Sequence, residues 1–253
     1  NVISGIGVKN TFHKLIKNPP DIYNNILDNI GPSVKHMYCF VKLKGTPEEL
    51  ELTSSNYWIY PHQNYEKVME DFLEDPYEAP IPLFIAFSCM KDINWNKKYN
   101  GYSNAIILTI ADYEWFREWE NNKCNKRGLD YEEFKDIFGK RMIEEGLYKF
   151  FPKTKDKILH YNVATPLTTK HYIDSFEGES YGLDMNNYRL TNAIDLKPKT
   201  DIKNLYLTGQ DICTLGVTGA MMGGVLTANV IMGYDSIIDI ILGNNIIKDL
   251  ITK

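Results

Sequence analysis

The sequence has little of what marks a metal site, a disulfide scaffold or a nucleic-acid surface. It carries 4 cysteines, Cys39, Cys89, Cys124 and Cys213. They are far apart and form no C-x-x-C pair, which argues against a zinc site and against a disulfide framework. Reduced thiols in a non-secreted, intracellular protein are the plain reading. The 5 histidines, His13, His36, His62, His160 and His171, show no H-x-x-x-H or H-E-x-x-H spacing, so no bound metal is expected. With 28 Lys and Arg against 33 Asp and Glu, the net charge of −5 leaves no basic excess to neutralise phosphates, and nucleic acid is not expected as a partner. Gly178-Glu179-Ser180-Tyr181-Gly182 matches G-x-S-x-G, but it falls in a stretch that reads as loop rather than as a strand–turn–helix elbow, so hydrolase chemistry has little support. The longest apolar run, Gly216–Gly233, is barely of spanning length and is interrupted by Thr218, Thr227 and Asn229. No G-x-G-x-x-G occurs. Gly5-Ile6-Gly7 comes nearest and lacks the third glycine.

What is present reads as a globular chain. Its 253 residues are 43% hydrophobic and 24% charged, enough for a sizeable core. Aromatic residues make up 13%, with 17 Tyr, which suits aromatic walls around an apolar ligand and suits an ordinary large core equally. Alternation of apolar and polar residues predicts strands at Met37–Leu43 and 56–60, and continuous apolar runs predict strands at Leu83–Ser88 and Ala105–Ile110. Further strands are expected at 1–4, Ile158–Ala164 and Leu205–Thr208. Helical spacing predicts helices over Tyr65–Leu73, 113–122, 130–150, Thr218–Met232 and about 236–251. Asp21 and Asp130 are the expected N-caps of their segments, with Glu133 at the capping-box position of the second. Residues 91–103 and 174–201 read as loops.

One stretch carries chemistry. The strand Leu205-Tyr206-Leu207-Thr208 stops at Gly209 and is followed by Gln210 and Asp211. A glycine-rich turn, Gly216-Val217-Thr218-Gly219-Ala220, then opens a helix containing Gly223 and Gly224. A strand end, a carboxylate and a helix N-terminus in this order suit a nucleotide-type ligand, because the first-turn N–H groups carry partial positive charge. The same pattern also fits a plain strand–turn–helix unit of an α/β core.

The stretch Leu205–Asp211, with Gly216, Gly219-Ala220 and Gly223-Gly224 behind it, is similar to the C-terminal FAD signature of retinol saturases, carotenoid isomerases and phytoene desaturases. The resemblance extends through Thr165-Pro166-Leu167-Thr168 and Tyr181-Gly182-Leu183-Asp184. It also takes in Ala111–Phe116, Lys126-Arg127-Gly128, Asp130–Glu133, and Val2-Ile3-Ser4 followed by Asn10-Thr11-Phe12. It implies an α/β fold: a partial, Rossmann-like FAD domain (1–30 and 161–253) around an inserted α+β substrate domain with a mixed sheet (31–160). It implies FAD contacts at Gly209, Gln210, Asp211, Gly216, Val217, Thr218, Gly219 and Ala220, with the Asp211 carboxylate toward ribityl or ribose hydroxyls. Tyr181 and His171 are the expected substrate-lining side chains, and no catalytic acid or base is identified. The implied activity is FAD-dependent oxidoreduction or redox-neutral isomerisation of a carotenoid- or retinoid-like polyene, with NAD(P)H a compatible reductant. Peripheral membrane association, at a plastid or the endoplasmic reticulum, is a further expectation.

The alternatives are another FAD enzyme of the wider amine oxidase superfamily and a non-catalytic fragment or binding module. The absent G-x-G-x-x-G, together with Asn1 in first place, leads us to expect a C-terminal fragment whose partner is its own N-terminal half. Alone, such a fragment is expected neither to retain FAD nor to turn over a polyene.

Overall fold

The computed structural model describes residues 1–192 and 196–233. The elements run β1 (Val2–Ser4), α1 (Val8–Asn10, continued by a π-helical turn Thr11–Leu15), α2 (Asp21–Asn29), β2 (Lys35–Lys44), β3 (Tyr57–Ile59), α3 (Tyr65–Glu74), β4 (Leu83–Ala86), α4 (Trp95–Lys98) and β5 (Tyr102–Ala111). Then follow α5 (Leu129–Arg141, continued by a π-helical turn Met142–Tyr148), β6 (Ile158–Ala164), α6 (Pro166–Ile173), α7 (Asn187–Thr191), β7 (Leu205–Leu207) and α8 (Gly216–Met232). The helix expected over about 236–251 lies outside the described residues.

The described residues divide into two compact units, one of residues 1–33, 181–192 and 196–233 and one of residues 34–180. Residues 161–180 therefore pack in the middle unit. They were expected with the ends, but β6 pairs along β2, and Leu167 of α6 joins the apolar core of the same unit.

In the middle unit, five strands form a sheet in the order β3-β4-β5-β2-β6, with antiparallel neighbours throughout. Strand alternation puts Met37, Cys39, Val41 and Leu43 of β2 on the buried face. Against that face pack Phe138, Met142, Ile143 and Leu147 of α5 and its π-helical continuation. The helix lies close: a Cβ on Gly139 would stand 2.8 Å from Val163 Cγ2. The filling is aromatic: Phe138 meets Phe72 edge-on, Phe134 at a tilt and Trp115 in a stack, and Phe134 in turn meets Phe116 edge-on.

In the other unit β1 pairs with β7 in parallel, Val2 opposite Leu205 and Ser4 opposite Leu207, so the expected neighbourhood of the first strand and the 205–207 strand is found. Val8, Phe12, Tyr23, Ile26, Leu183, Leu207 and Ile212 make its apolar core, with the Phe12 and Tyr23 rings stacked at 3.6 Å.

Several local expectations are corrected. Pro20, not Asp21, is the N-cap of α2, and Asp21 opens the helix. Gly128 caps α5 at φ 104, and the Asp130 carboxylate instead accepts from Trp119 Nε1 at 2.9 Å. The segment expected as helix 113–122 is a 3₁₀ helix, Tyr113–Trp119, because Asp112 accepts the Glu114 N–H at 3.0 Å and tightens the turn. Three of the described helices were not foreseen: α4, within the stretch 91–103 read as loop, α6 and α7. For α6 the signal was present in Thr165-Pro166-x-Thr168: the Thr165 and Thr168 side chains form a reciprocal capping box, with Pro166 in the first turn. For α7 it was Asn186, whose side chain accepts the Arg189 N–H at 3.0 Å.

Candidate functional site

The glycine-rich stretch forms one connected piece of structure at the end of β7. The chain leaves β7 through Gly209, at φ 99, into a 3₁₀ turn over Gln210–Ile212. Gln210 Oε1 accepts the Gly216 N–H at 3.0 Å, which closes the turn ahead of α8. No side chain caps α8 and no acidic residue occupies its first turn. Its N-terminal partial charge is therefore not offset by the helix itself. Val217, Thr218 and Ala220 are exposed beside this start, whereas Gly219 is buried. Tyr181 is 38% exposed, and its ring edge comes within 3.8 Å of where a Gly216 Cβ would be. Of the expected residues, Tyr181 is thus gathered with Gln210 and Gly216 at the helix start. His171 is an exposed residue of α6, in the other unit, with its ring against Tyr172 at 4.8 Å.

The inner side of α8 is fitted to backbone. A Cβ on Gly219 would stand 1.5 Å from the Thr214 carbonyl oxygen, and one on Gly223 2.1 Å from that of Gly209. Thr227 donates its hydroxyl to Leu207 O at 2.8 Å. The Gly219, Gly223, Thr227 stripe packs on β7 and the turns that follow it, as its one-turn spacing suggested. Among the described residues no helix is long and apolar enough to cross a membrane.

Asp211 behaves differently from the sequence expectation. It is 5% exposed. One carboxylate oxygen accepts the Val8 N–H at 2.8 Å and the other the Leu183 N–H at 3.0 Å. A buried carboxylate must find donors, and here the backbone supplies them. Gly182 makes room at φ 67; a Cβ there would stand 2.2 Å from Asp211 Oδ1. Beside it lies Arg189, 2% exposed, which sequence reasoning missed. Its guanidinium donates to the carbonyls of Leu183 at 2.6 Å, Asp184 at 3.2 Å, and Gln210 and Asp211 at 2.9 Å each. Burial pulls the Arg189 guanidinium below its ordinary range, and the Asp211 and Asp184 carboxylates act against that pull. Asp211 and Arg189 together tie the segments at 7–8, 182–184 and 210–211 into one support beneath the start of α8.

The middle unit offers a second candidate surface, the outer face of its sheet. Trp58, Phe84, Leu108, Tyr38 and Ala164 are successive cross-strand partners from β3 to β6. At ~4.8 Å per strand this row is about 19 Å long. Beside it Phe40 pairs with Ile106. Trp58 is 67% and Phe40 45% exposed, and Tyr38, Phe84, Ile106 and Leu108 are half-buried. The Trp58 and Phe84 rings meet edge to face at 4.8 Å, and Tyr38 and Phe40 lie parallel at 6.2 Å. A broad exposed apolar surface of this kind marks a binding surface more often than a bare exterior.

No family model matches the chain. Curated proteins do. The chain is 37% identical over 241 residues to the all-trans-retinol 13,14-reductase of Rattus norvegicus and 34% identical over 243 residues to that of Danio rerio, in each case over 91% of this chain and 39% of the relative. It is also 30% identical over 260 residues to an inactive all-trans-retinol 13,14-reductase of Danio rerio, covering 100% of this chain and 43% of that protein. The chain is therefore a relative of the all-trans-retinol 13,14-reductases over 91% of its own length, and it spans about two-fifths of theirs.

Proposed function

We propose that this chain is part of a flavin-dependent reductase of retinoid-like polyenes, with retinol as the first substrate to try. The observation that carries the reading is the similarity to retinol 13,14-reductases over 91% of the chain. The two candidate surfaces support it. At the α8 start, the uncapped first turn at Val217–Ala220, the Gln210–Gly216 turn and the Tyr181 ring fit the electron-rich edge of an isoalloxazine ring. Bound there, the flavin would supply two-electron transfer, with NAD(P)H as a reductant in the wider reaction. Asp211 serves this site by holding its backbone, since both its oxygens are engaged by N–H groups of the chain. The outer face of the sheet suits a ligand with few polar handles, because aromatic and aliphatic side chains run along it without a charged interruption from Trp58 to Tyr38.

FAD is long, and its pyrophosphate needs a glycine-rich strand–turn–helix that this sequence does not contain. A polypeptide corresponding to the rest of the relatives' length supplies it in our reading, as an N-terminal FAD-binding half around an inserted substrate domain. The reading is tested by expressing the chain alone and together with such a half, titrating each with FAD, and offering all-trans-retinol under reducing conditions. Flavin retention and a retinoid gaining one hydrogen pair are expected only for the combined protein. A product of unchanged mass would point to isomerisation instead. The likeness to a relative named inactive makes lack of turnover the competing reading; a combined protein that holds FAD and leaves every retinoid unchanged would establish it.

A further inference from the structure

The outer face of the sheet carries a short chain of hydrogen-bonded polar side chains. His36 and Tyr38 are alternate residues of β2 on that face. Ser180 reaches the same strand: Glu179 bridges to Lys35, and the Ser180 N–H donates to Val34 O at 3.0 Å. Ser180 Oγ lies 2.7 Å from His36 Nδ1 and 2.9 Å from the Tyr38 hydroxyl. Around them the face is apolar, with Leu108 and Ala164 opposite Tyr38 on the two flanking strands.

Resting on the reductase reading above, we propose that Tyr38 is the acid that protonates the polyene during reduction, positioned and polarised by Ser180 and His36. Saturating a C=C bond adds a hydride to one carbon and a proton to its neighbour. The hydride brings its electron pair from the two-electron donor of the reaction, a reduced flavin by class. The displaced π pair then takes the Tyr38 proton: a C–H bond forms and the Tyr38 O–H bond breaks. The phenolate left behind accepts the Ser180 O–H, and Ser180 Oγ accepts the His36 Nδ1–H. Water returns a proton to Tyr38 before the next turnover. The hydrogen-bond directions are compatible with a neutral imidazole, and burial pushes His36 down to about 4, so that it stays neutral at pH 7. Phe40, Phe84, Ile106 and Leu108 on the same face have no proton to give. Tyr102, the first residue of β5, pairs with Lys44 at the end of β2, with Lys42 Nζ 4.6 Å from its ring, and stands apart from this chain.

The test uses the full-length, FAD-loaded protein and all-trans-retinol. Tyr38→Phe is expected to lower kcat about 100-fold or more, as loss of a general acid does. KM, retinol binding by fluorescence and thermal stability should stay close to those of the wild type. A solvent deuterium isotope effect is expected on the wild-type rate, and in Tyr38→Phe, where only water is left to protonate the carbon, it should persist or grow. Ser180→Ala and His36→Gln should cost about 10-fold in kcat, at the low end of acid–base contributions. Ser180→Thr, which keeps the hydroxyl, should recover most of the Ser180→Ala loss. Tyr102→Phe, the control, should behave as the wild type. A Tyr38→Phe protein within twofold of a working wild type would overturn the proposal and leave the reductase reading intact. Equal losses in Ser180→Ala and Ser180→Thr would also overturn it, by showing that Ser180 acts only in packing. A wild type that holds FAD but reduces no retinoid would overturn the reductase reading, and the proposal with it.

Discussion

The two units are held together by different means. The middle unit has an aromatic core in which Phe138 touches Phe72, Trp115 and Phe134, and its stability comes mainly from apolar burial. The unit of the two chain ends has a smaller apolar cluster and depends on polar side chains bonded to backbone. Asp211 takes two amides, Arg189 serves four carbonyls, and Thr227 ties α8 to β7. A core of packed rings tolerates graded change. A buried charge that loses its partners does not. The second kind of construction holds a backbone in one place, which is what the ligand contact proposed at the α8 start requires.

Asp211→Ala should produce the largest loss, about 3–5 kcal/mol, because it strands two buried amides and removes the charge facing Arg189. Urea unfolding measures it, and a cost under about 1 kcal/mol would show that the polar support is dispensable. Phe138→Ala should come close behind, at about 3–5 kcal/mol, by opening a cavity among rings. The distinguishing measurement is amide exchange. The Phe138 change should raise exchange in β2 and β5, and the Asp211 change at Val8 and Leu183, whose N–H groups it releases.

Gly223→Leu should cost about 1–3 kcal/mol by overpacking against the Gly209 carbonyl. Equal thermal stability of variant and wild type would refute that close approach. A comparable effect comes from pH. His36 has a folded value of about 4 against an ordinary 6.5. The unfolded chain therefore binds the proton more readily. The contribution is whole above about pH 6.5 and is lost as pH falls toward 4, on the order of 3 kcal/mol. In His36→Gln that portion of the acid slope should be missing from unfolding curves taken between those limits. Least of all, Phe40→Ser on the outer face should change stability by about 0.5 kcal/mol or less while weakening retinol binding. An equal loss to that of Phe138→Ala would mean that the outer face is core rather than binding surface.

Much of the middle unit was legible because a half-buried strand writes its burial into alternate residues. Met37, Cys39, Val41 and Leu43 mark the inner face of β2, and Tyr38 and Phe40 the outer one. The stripe Gly219, Gly223, Thr227 was legible for a similar reason, since helical spacing alone puts these residues on one side. Pairing of β1 with β7 was expected only through the family resemblance, because parallel partners 203 residues apart leave no local trace.

The role of Asp211 illustrates what local sequence left undecided. Its neighbours Gly209, Gln210 and Gly216 marked a ligand turn, and a carboxylate there was open to two uses, toward a ligand hydroxyl or toward the chain. Which donors reach it depends on Val8 and Leu183, both remote in sequence. Arg189 has four carbonyl partners, which only the folded backbone brings to one point. The link from His36 through Ser180 to Tyr38 spans 144 and 142 residues. Periodicity and turn chemistry, which act within a few residues, determined the strands, the long helices and the small-residue stripe. Hydrogen bonds between distant segments decided the polar support and the acid chain, because their geometry exists only after the segments have met.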